Sequence, residues 1–359
     1  MIDGDIFVID GIIHPFQISP ERRIGRHGET LVTNLIGAVT KWCPPGTTLG
    51  ANAGADYPID GVNAAVFLES AIDMAVTHHV PLYSFVEDGL VSVGRNRFIA
   101  ENWPQRYIVY AGLDPTQGVP AAIESLERQM ELIPNTVGLK LYPVQVDTSG
   151  HILSHRMDDE RLFPIWERAR DLGIKVIAEH KLSTYGPFPI NPFRVEDMAG
   201  AARAFPDLNF EVIHGGIAFT EETASLIARF PNVYANLEST SALLHQQPKR
   251  FEAILRELIE WGGHEKVIWG TGGPIIHPQP LLELFMAFQF SEHTLANFDV
   301  QPITREQKRD ILGGNFARMI GLDIDAAKGR IAGDEFDVAR SENGLAPLYS
   351  GWPGLPADA

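Results

Sequence analysis

Three histidines stand at the ends of apolar runs that are typical of buried strands. His14 lies at the end of IFVIDGIIHPF, His180 ends KVIAEH and His214 ends NFEVIH. Neutral imidazole binds zinc, iron and manganese, and it also serves as a general acid or base near neutral pH. A lone histidine at a strand end is more often a hydrogen-bonded core residue. Three at equivalent positions favour a metal or catalytic site.

Charged residues also occur within apolar runs that are typical of buried strands. Side chains alternate along a strand, so Asp10, Ile12 and His14 share one face. Lys140 lies inside the run TVGLKLY, and Glu238 ends NVYANLE. A buried ammonium group is costly unless it is paired or functional. Lys140 therefore either forms an ion pair with Asp10 or Glu238, or it acts on an anionic substrate.

These side chains converge only if the strand ends meet, and the order of elements predicts that they do. Strands are predicted at residues 6–16, 80–85, 106–113, 136–142, 175–180, 209–214, 232–238 and 266–270. Helices are predicted at residues 62–77, 120–132, 160–172, 195–204, 221–229, 250–261, 280–290 and 304–320. This alternation predicts an α/β fold, a (β/α)8 TIM barrel with its active site at the carboxyl ends of the strands.

Two segments lie outside this alternation. Residues 1–330 are predicted to form the barrel, with a long insertion at residues 17–61 after the first strand. The insertion is rich in glycine, proline and asparagine, and at a barrel mouth it would act as a lid or a docking arm. Residues 331–359 are predicted to form an extended C-terminal tail that packs on the barrel or on a neighbouring subunit.

Composition limits the classes of partner. The net charge of −17 argues against nucleic acid, because phosphate binding requires clustered lysine and arginine. The single cysteine, Cys43, excludes a disulfide framework and a thiolate zinc site. No apolar run approaches the roughly 18 residues needed to cross a bilayer. We therefore expect a cytoplasmic protein that acts on a small molecule, with no nucleic-acid or membrane partner.

A series of short motifs resembles one enzyme family. VIDGIIHPF, VGLKLYP, VIAEH, EVIHGG, NVYANLES, VIWGTGGP and ILGGNFARMIGL follow one another between residues 5 and 325 as they do in the amidohydrolase-related family. That family includes aminocarboxymuconate-semialdehyde decarboxylase and many small hydrolases. Its first strand usually ends in His-x-His, which binds a metal. The resemblance implies that His14 is the second histidine of that pair, that His180 is the fifth-strand ligand, and that His214 is a ligand or acid/base.

Two positions depart from the family pattern. Ile12 replaces the first histidine of the pair, and Gly272 stands where the family has a metal-binding or water-activating aspartate. Glu238 or Asp10 could replace the missing carboxylate, and His277 is either a spare imidazole or a surface-loop residue. The resemblance implies one divalent metal, Zn, Fe or Mn, with candidate ligands His14, His180, His214, Glu238 and Asp10. The candidate catalytic residues are His214 and Lys140.

The loss of two ligands leaves three interpretations. The favoured one is the metal-poor subunit of a heteromeric non-haem oxygenase of the 2-aminoisobutyrate hydroxylase type. The expected partner is then a homologous barrel with an intact metal site, in a hetero-oligomer. The alternative is a stand-alone mononuclear hydrolase or non-oxidative decarboxylase of a small carboxylate. In it, His14, His180 and Glu238 bind the metal, His214 is the acid/base, and Lys140 holds an anionic substrate or bridges the metal. A third interpretation is a metal-free scaffold or binding barrel.

Overall fold

Eight parallel strands form the wall of a barrel in the computed structural model, which describes residues 1–2, 4–181 and 183–352. The hydrogen-bonded order of these strands is β1-β2-β3-β4-β7-β8-β9-β10, and β5 and β6 form a separate antiparallel hairpin. The strands are β1 Ile9–Ile13, β2 Met74–His78, β3 Tyr107–Leu113, β4 Gly138–Leu141, β5 Val144–Val146, β6 Ile152–Ser154, β7 Val176–His180, β8 Asn209–Ile213, β9 Val233–Asn236 and β10 Val267–Ile268.

Backbone hydrogen bonds join the two ends of this sheet. The amide of Gly11 donates to the carbonyl of Trp269 at 2.9 Å, and the amide of Gly272 donates to Ile12 at 3.0 Å. Position 11 requires glycine, because an added Cβ would lie 2.7 Å from the Trp269 carbonyl oxygen. The predicted barrel is confirmed. Its closure brings the end of β1 beside the segment that follows β10.

Helices follow the strands along the chain. They are α1 Gly25–Trp42, α2 Ile59–Asn63, α3 Val93–Asn102, α4 Val119–Leu132, α5 Phe163–Asp171, α6 Glu196–Ala204, α7 Thr220–Arg229, α8 Leu243–Gln246, α9 Pro248–Gly262, α10 Pro278–Ala287, α11 Glu292–Asn297, α12 Arg305–Arg309, α13 Asn315–Ile320, α14 Ile324–Ile331 and α15 Glu335–Asn343. A π-helical turn, Asp310–Gly314, joins α12 to α13. None of the helices in the described part of the chain has the length and apolarity that a bilayer span requires.

The predicted second strand was placed wrongly. Residues 80–85 contain Pro81, which cannot donate to a strand ladder, and they form turns. The second strand of the barrel is instead β2, Met74–His78, which pairs with β1 on one side and β3 on the other. Residues 74–77 had been included in a predicted helix. The helical part of that region ends with the π-helical segment Ala64–Leu68.

The insertion and the tail also contain structure that was not predicted. The insertion at residues 17–61 includes α1, an 18-residue helix, so it is not simply a loop. The prediction of an extended tail was wrong for residues 335–343, which form α15, because Asp334 caps its first turn. Beyond it, Tyr349 and Trp352 are buried against the barrel. The tail therefore packs on its own barrel.

Candidate functional site

A cavity of about 150 Å³ lies at the carboxyl ends of the strands. Five predicted site residues line it together: His14, Lys140, His180, His214 and Glu238. The insertion covers it, because Leu31, Leu35 and Trp42 of α1 also line the cavity. The convergence expected from the strand ends is therefore observed for these five residues. Asp10 does not line this cavity.

Asp10 lies buried beside the chain that follows β10. Its Oδ1 accepts from the backbone amide of Thr271 at 3.0 Å, and its Oδ2 accepts from the Thr271 hydroxyl at 2.5 Å. The backbone amide of Ile12 donates to Oδ1 at 3.2 Å. Burial raises the pKa of Asp10 to about 7, although these hydrogen bonds oppose the rise. In this structure Asp10 ties β1 to the eighth strand of the barrel.

His180, His214 and Glu238 form a hydrogen-bonded chain. Nε2 of His180 lies 2.7 Å from the carbonyl oxygen of Ser183, and its Nδ1 lies 3.1 Å from Nε2 of His214. Nδ1 of His214 hydrogen-bonds to the Glu238 carbonyl oxygen at 3.2 Å, and it also lies 2.5 Å from Oε2 of the same residue as an ion-pair contact. The Ser183 carbonyl oxygen and Glu238 can only accept a hydrogen bond. Nε2 of His180 and Nδ1 of His214 must therefore be the donors to them.

This arrangement fixes the number of protons. For all three contacts to be hydrogen bonds, one proton must point from His180 to Ser183, one from His214 to Glu238, and a third must lie between the rings. Two rings with three protons carry one positive charge. Glu238 Oε2 lies 2.5 Å from Nδ1 of His214, which places a carboxylate beside this charge, and burial lowers the pKa of His180 well below its usual value. The chain therefore holds one transferable proton at the cavity.

Glu238 is the counter-ion of that charge. Burial pushes the pKa of Glu238 upward, but the charges of His214 and His14 and the hydrogen bond from Ser239 lower it to about 2. His214 and Ser239 have φ values of 65° and 58°, in the left-handed region that side chains other than glycine seldom adopt. Such backbone strain is often found at functional sites.

Lys140 is buried in the cavity wall without a hydrogen-bond partner. It is 1% exposed, and its Nζ has no such partner among the described residues. Its Nζ lies 4.9 Å from the centroid of the Tyr142 ring. Burial lowers the pKa of Lys140 to about 8, although Glu238 opposes the shift. Neither ion pair left open by the sequence, with Asp10 or with Glu238, is formed.

Two histidines stand at the ends of neighbouring strands. His14 stacks on Phe16 with ring centroids 4.7 Å apart, its Nδ1 has no hydrogen-bond partner, and burial lowers its pKa to about 4. His78, at the end of β2, was missed. It is fully buried, stacks on Tyr110 at 4.7 Å and lies 6.3 Å from His14 between ring centroids. The sequence does contain a signal for it, because His78 ends the strand-like run AVTH. That signal was overlooked because residues 62–77 were wrongly predicted to be a helix.

His277 belongs neither to the cavity nor to a surface loop. It is fully buried, and its Nε2 lies 2.9 Å from Oε2 of Glu69. Its Nδ1 accepts from the amide of Gln279 and so caps α10. Glu69 also accepts from the amides of Tyr349 and Gly351. This pair therefore anchors the C-terminal tail.

The described residues contain no group of three histidine, cysteine, aspartate or glutamate side chains arranged to hold a metal ion. Ile12 belongs to a buried apolar cluster that also includes Ile108, Val176 and Ile213. Both nitrogens of His180 are used in hydrogen bonds. Gly272 offers no side chain. The donor set is therefore better suited to proton transfer than to a metal.

Solved structures of low sequence identity share this architecture. An uncharacterized TIM-barrel protein from Bordetella bronchiseptica is 18% identical with a TM-score of 0.66, over 88% of this chain and 99% of that chain. The 2,6-dihydroxybenzoate decarboxylase from Rhizobium is 16% identical with a TM-score of 0.57, over 89% and 99%. A dihydroxybenzoic acid decarboxylase from Polaromonas with bound manganese is 13% identical with a TM-score of 0.57, over 88% and 97%.

No curated protein matches the sequence. A family model does match. The amidohydrolase model covers residues 50–322, which includes seven of the eight barrel strands and four of the five predicted site residues that line the cavity. This match extends over more than half of the chain, and the chain therefore belongs to the amidohydrolase family.

Proposed function

We propose that this chain binds a small carboxylic acid at the barrel mouth and removes CO2 from it without oxidation, with the proton supplied by its own side chains. The observation that carries this proposal is the chain His180–His214–Glu238, which holds one transferable proton beside the cavity. Such a proton is what non-oxidative decarboxylation requires, because the carbon that loses CO2 must be protonated.

The substrate class follows from the charge of Lys140. An unpaired buried ammonium is several kcal/mol less stable than one with a counter-ion. A substrate carboxylate in the cavity would supply the missing negative charge. The volume of about 150 Å³ suits a small molecule, and the aromatic rings of Phe16, Tyr142 and Tyr185 in its wall favour an apolar body.

The proton balance of the reaction is simple. The substrate carboxylate leaves as CO2, and the electron pair of the broken bond remains on the adjacent carbon. That carbon takes the proton of His214, and the neutral pair of rings then regains a proton from water. The ionised Glu238 stabilises the charged form of His214 before transfer. One proton is consumed for each CO2 released.

The metal that the family implies does not fit this chain. Manganese is present in the Polaromonas decarboxylase. Here Ile12 and Gly272 offer no donor atom, and His180 uses both of its nitrogens in hydrogen bonds. No step of the proposed reaction therefore passes through a metal. Elemental analysis of the purified chain tests whether it binds Zn, Fe or Mn, as the family resemblance implies.

The similar structures support a decarboxylase more than an oxygenase subunit, since two of those described above carry decarboxylase names. One observation favours a second candidate function: the described residues contain no group of three side chains arranged to hold a metal ion. In it, this chain is the metal-poor partner of a homologous barrel with an intact metal site. The test is the native mass of the chain expressed alone and together with such a homologue. A stable mixed oligomer with oxygen-dependent activity would support it.

The test of the decarboxylase proposal is CO2 release from a panel of small aromatic and aliphatic carboxylic acids by the purified chain. We expect release from at least one acid, and a loss of about 10²- to 10⁴-fold in His214→Asn. Release of hydrolysis products from esters or amides, with no CO2 from any acid, would contradict decarboxylation and assign hydrolysis instead. A circular dichroism spectrum like that of the unsubstituted chain is the control for folding.

A further inference from the structure

We infer that Lys140 is a covalent catalyst, whose amine forms an imine with the ketone of a small 3-oxo carboxylic acid. This inference rests on the proposed decarboxylase function and names its substrate class. It is carried by the position of Lys140, which lines the cavity together with His180 and His214, and whose buried amine has no hydrogen-bond partner among the described residues.

Comparison with the other buried lysines shows how unusual this amine is. Nζ of Lys181 donates to Asp197 and to the carbonyl of Pro192, both at 2.9 Å. Nζ of Lys308 donates to the carbonyls of Met286 and Phe288 at 2.6 and 2.7 Å. Those two amines are held in place by acceptors and serve the fold. Among the described residues, Lys140 is the buried lysine whose amine is left available.

Burial is what favours a neutral amine at Lys140. The apolar cavity wall removes water from Nζ, whereas the charges of Glu238, Glu179 and Glu211 favour the ammonium form. Burial lowers the pKa of Lys140 to about 8, so a substantial fraction is unprotonated slightly above neutral pH. A desolvated lysine of this kind is a nucleophile toward carbonyl carbon.

An imine also supplies what a metal centre would otherwise provide. Removal of CO2 leaves an electron pair that needs an acceptor, and a metal bound to a substrate oxygen is one such acceptor. Ile12 and Gly272 have no side-chain donor atoms that could bind such a metal. A protonated imine two bonds from the carboxylate accepts the electron pair directly. Its positive charge also replaces the ammonium charge that pairs with the carboxylate.

The atoms balance in four steps. Nζ of the neutral amine forms a bond to the ketone carbon, and with one proton taken up from solvent the ketone oxygen leaves as water, so that a protonated imine results. The C–CO2 bond then breaks, CO2 leaves, and the electron pair moves through the new C–C double bond to the imine nitrogen. The enamine carbon takes a proton from His214. Water finally hydrolyses the protonated imine, which releases a ketone, the free amine of Lys140 and the proton taken up in the first step.

Borohydride reduction tests the imine directly. The full chain is mixed with acetoacetate and sodium borohydride, and peptides are mapped by mass spectrometry. We expect one reduced adduct per chain, on Lys140, with Lys181 and Lys308 unmodified as internal controls. Absence of an adduct on Lys140 while the chain releases CO2 from acetoacetate faster than buffer alone would overturn the inference and leave decarboxylation standing. An adduct without CO2 release from any acid would support the imine and overturn the decarboxylase proposal.

A substitution provides the second readout. Lys140→Arg keeps the positive charge but cannot form an imine, and we expect it to lower CO2 release by about 10³-fold or more. The matched control is Lys181→Arg, at a buried lysine outside the cavity. Retention of CO2 release within about tenfold of the unsubstituted chain by Lys140→Arg would show that only the charge matters, and would overturn the inference. The trapping experiment does not depend on whether either variant folds.

Discussion

The carboxylate of Glu238 occupies the space that a side chain at position 272 would fill. An ideal Cβ added to Gly272 would lie 2.6 Å from Oε1 of Glu238. A carboxylate supplied from position 272 and the observed position of Glu238 are therefore mutually exclusive. The glycine that removes the expected eighth-strand ligand is the same residue that lets Glu238 reach His214. The absence of a carboxylate at position 272 and the presence of the Glu238 carboxylate beside His214 are thus a single change of arrangement.

Gly272→Ala tests this relationship. The added methyl group must displace the Glu238 carboxylate, so we expect CO2 release to fall by about 10-fold or more. The matched control is Gly321→Ala, because Gly321 has the same φ of 74° with nothing within 4 Å of an added Cβ. Both variants carry the backbone strain of that φ, about 1 kcal/mol, and should show similar losses in thermal unfolding. Equal catalytic rates in the two variants would contradict the relationship.

Glu238→Gln removes the counter-ion of His214 while nearly keeping the shape of the side chain. The third proton of the histidine pair is then no longer stabilised, and we expect CO2 release to fall by about 10²-fold. Glu211→Gln is the control, since Glu211 is fully buried in the barrel but does not line the cavity. Nuclear magnetic resonance of the imidazole nitrogens should show a neutral His180–His214 pair in Glu238→Gln near neutral pH. A charged pair in that variant would be inconsistent with the proposed ion pair.

Asp10→Asn tests the buried carboxyl through stability. The pKa of Asp10 is about 7 in the folded chain against an ordinary value of 3.8, so the folded state binds the proton more tightly. The stability that this provides is present below pH 4 and is lost as pH rises through 7, by up to about 4 kcal/mol. We expect Asp10→Asn to gain stability relative to the unsubstituted chain between pH 4 and 8 in urea unfolding. A constant difference over that range would show that the pKa is not raised.

His78→Phe tests whether the buried nitrogens of His78 have a role in stability. Phenylalanine keeps the stacking on Tyr110 and removes two nitrogens that have no hydrogen-bond partner. We expect the free energy of unfolding to be unchanged or about 1 kcal/mol higher. The control is His79→Phe, because the nitrogens of His79 lie 2.5 Å from the Val91 carbonyl and 2.6 Å from the Tyr83 hydroxyl. That variant should lose about 1–3 kcal/mol. A loss of similar size in His78→Phe would indicate a bound water or ligand at His78.

The sequence predicted the barrel because its strands are apolar, β-branched runs whose burial on both faces leaves a strong pattern. It failed at β2, where residues 62–77 contain enough apolar positions to fit a helix as well as a strand. That error hid His78. The helix α1 was also missed, because the glycine and proline near residues 44–61 dominated the composition of the insertion.

The cavity residues were predictable, but their connections were not. Strand alternation places His14, Lys140, His180 and His214 near one another. It does not reveal that His180 turns one nitrogen to Ser183, or that Lys140 has no hydrogen-bond partner. Those facts depend on loop conformations such as the left-handed backbone at His214. A count of donors in the sequence suggested a metal, whereas the hydrogen bonds between the same donors favour proton transfer.

We propose that this barrel acts on a small carboxylic acid with its own side chains rather than with a metal. The measurement to make is CO2 release from 3-oxo and aromatic acids by the chain after dialysis against a chelator, with the metal content determined on the same sample. We expect undiminished CO2 release from a chain with far less than one metal per molecule. Loss of release on dialysis, with recovery on adding manganese or zinc, would contradict it.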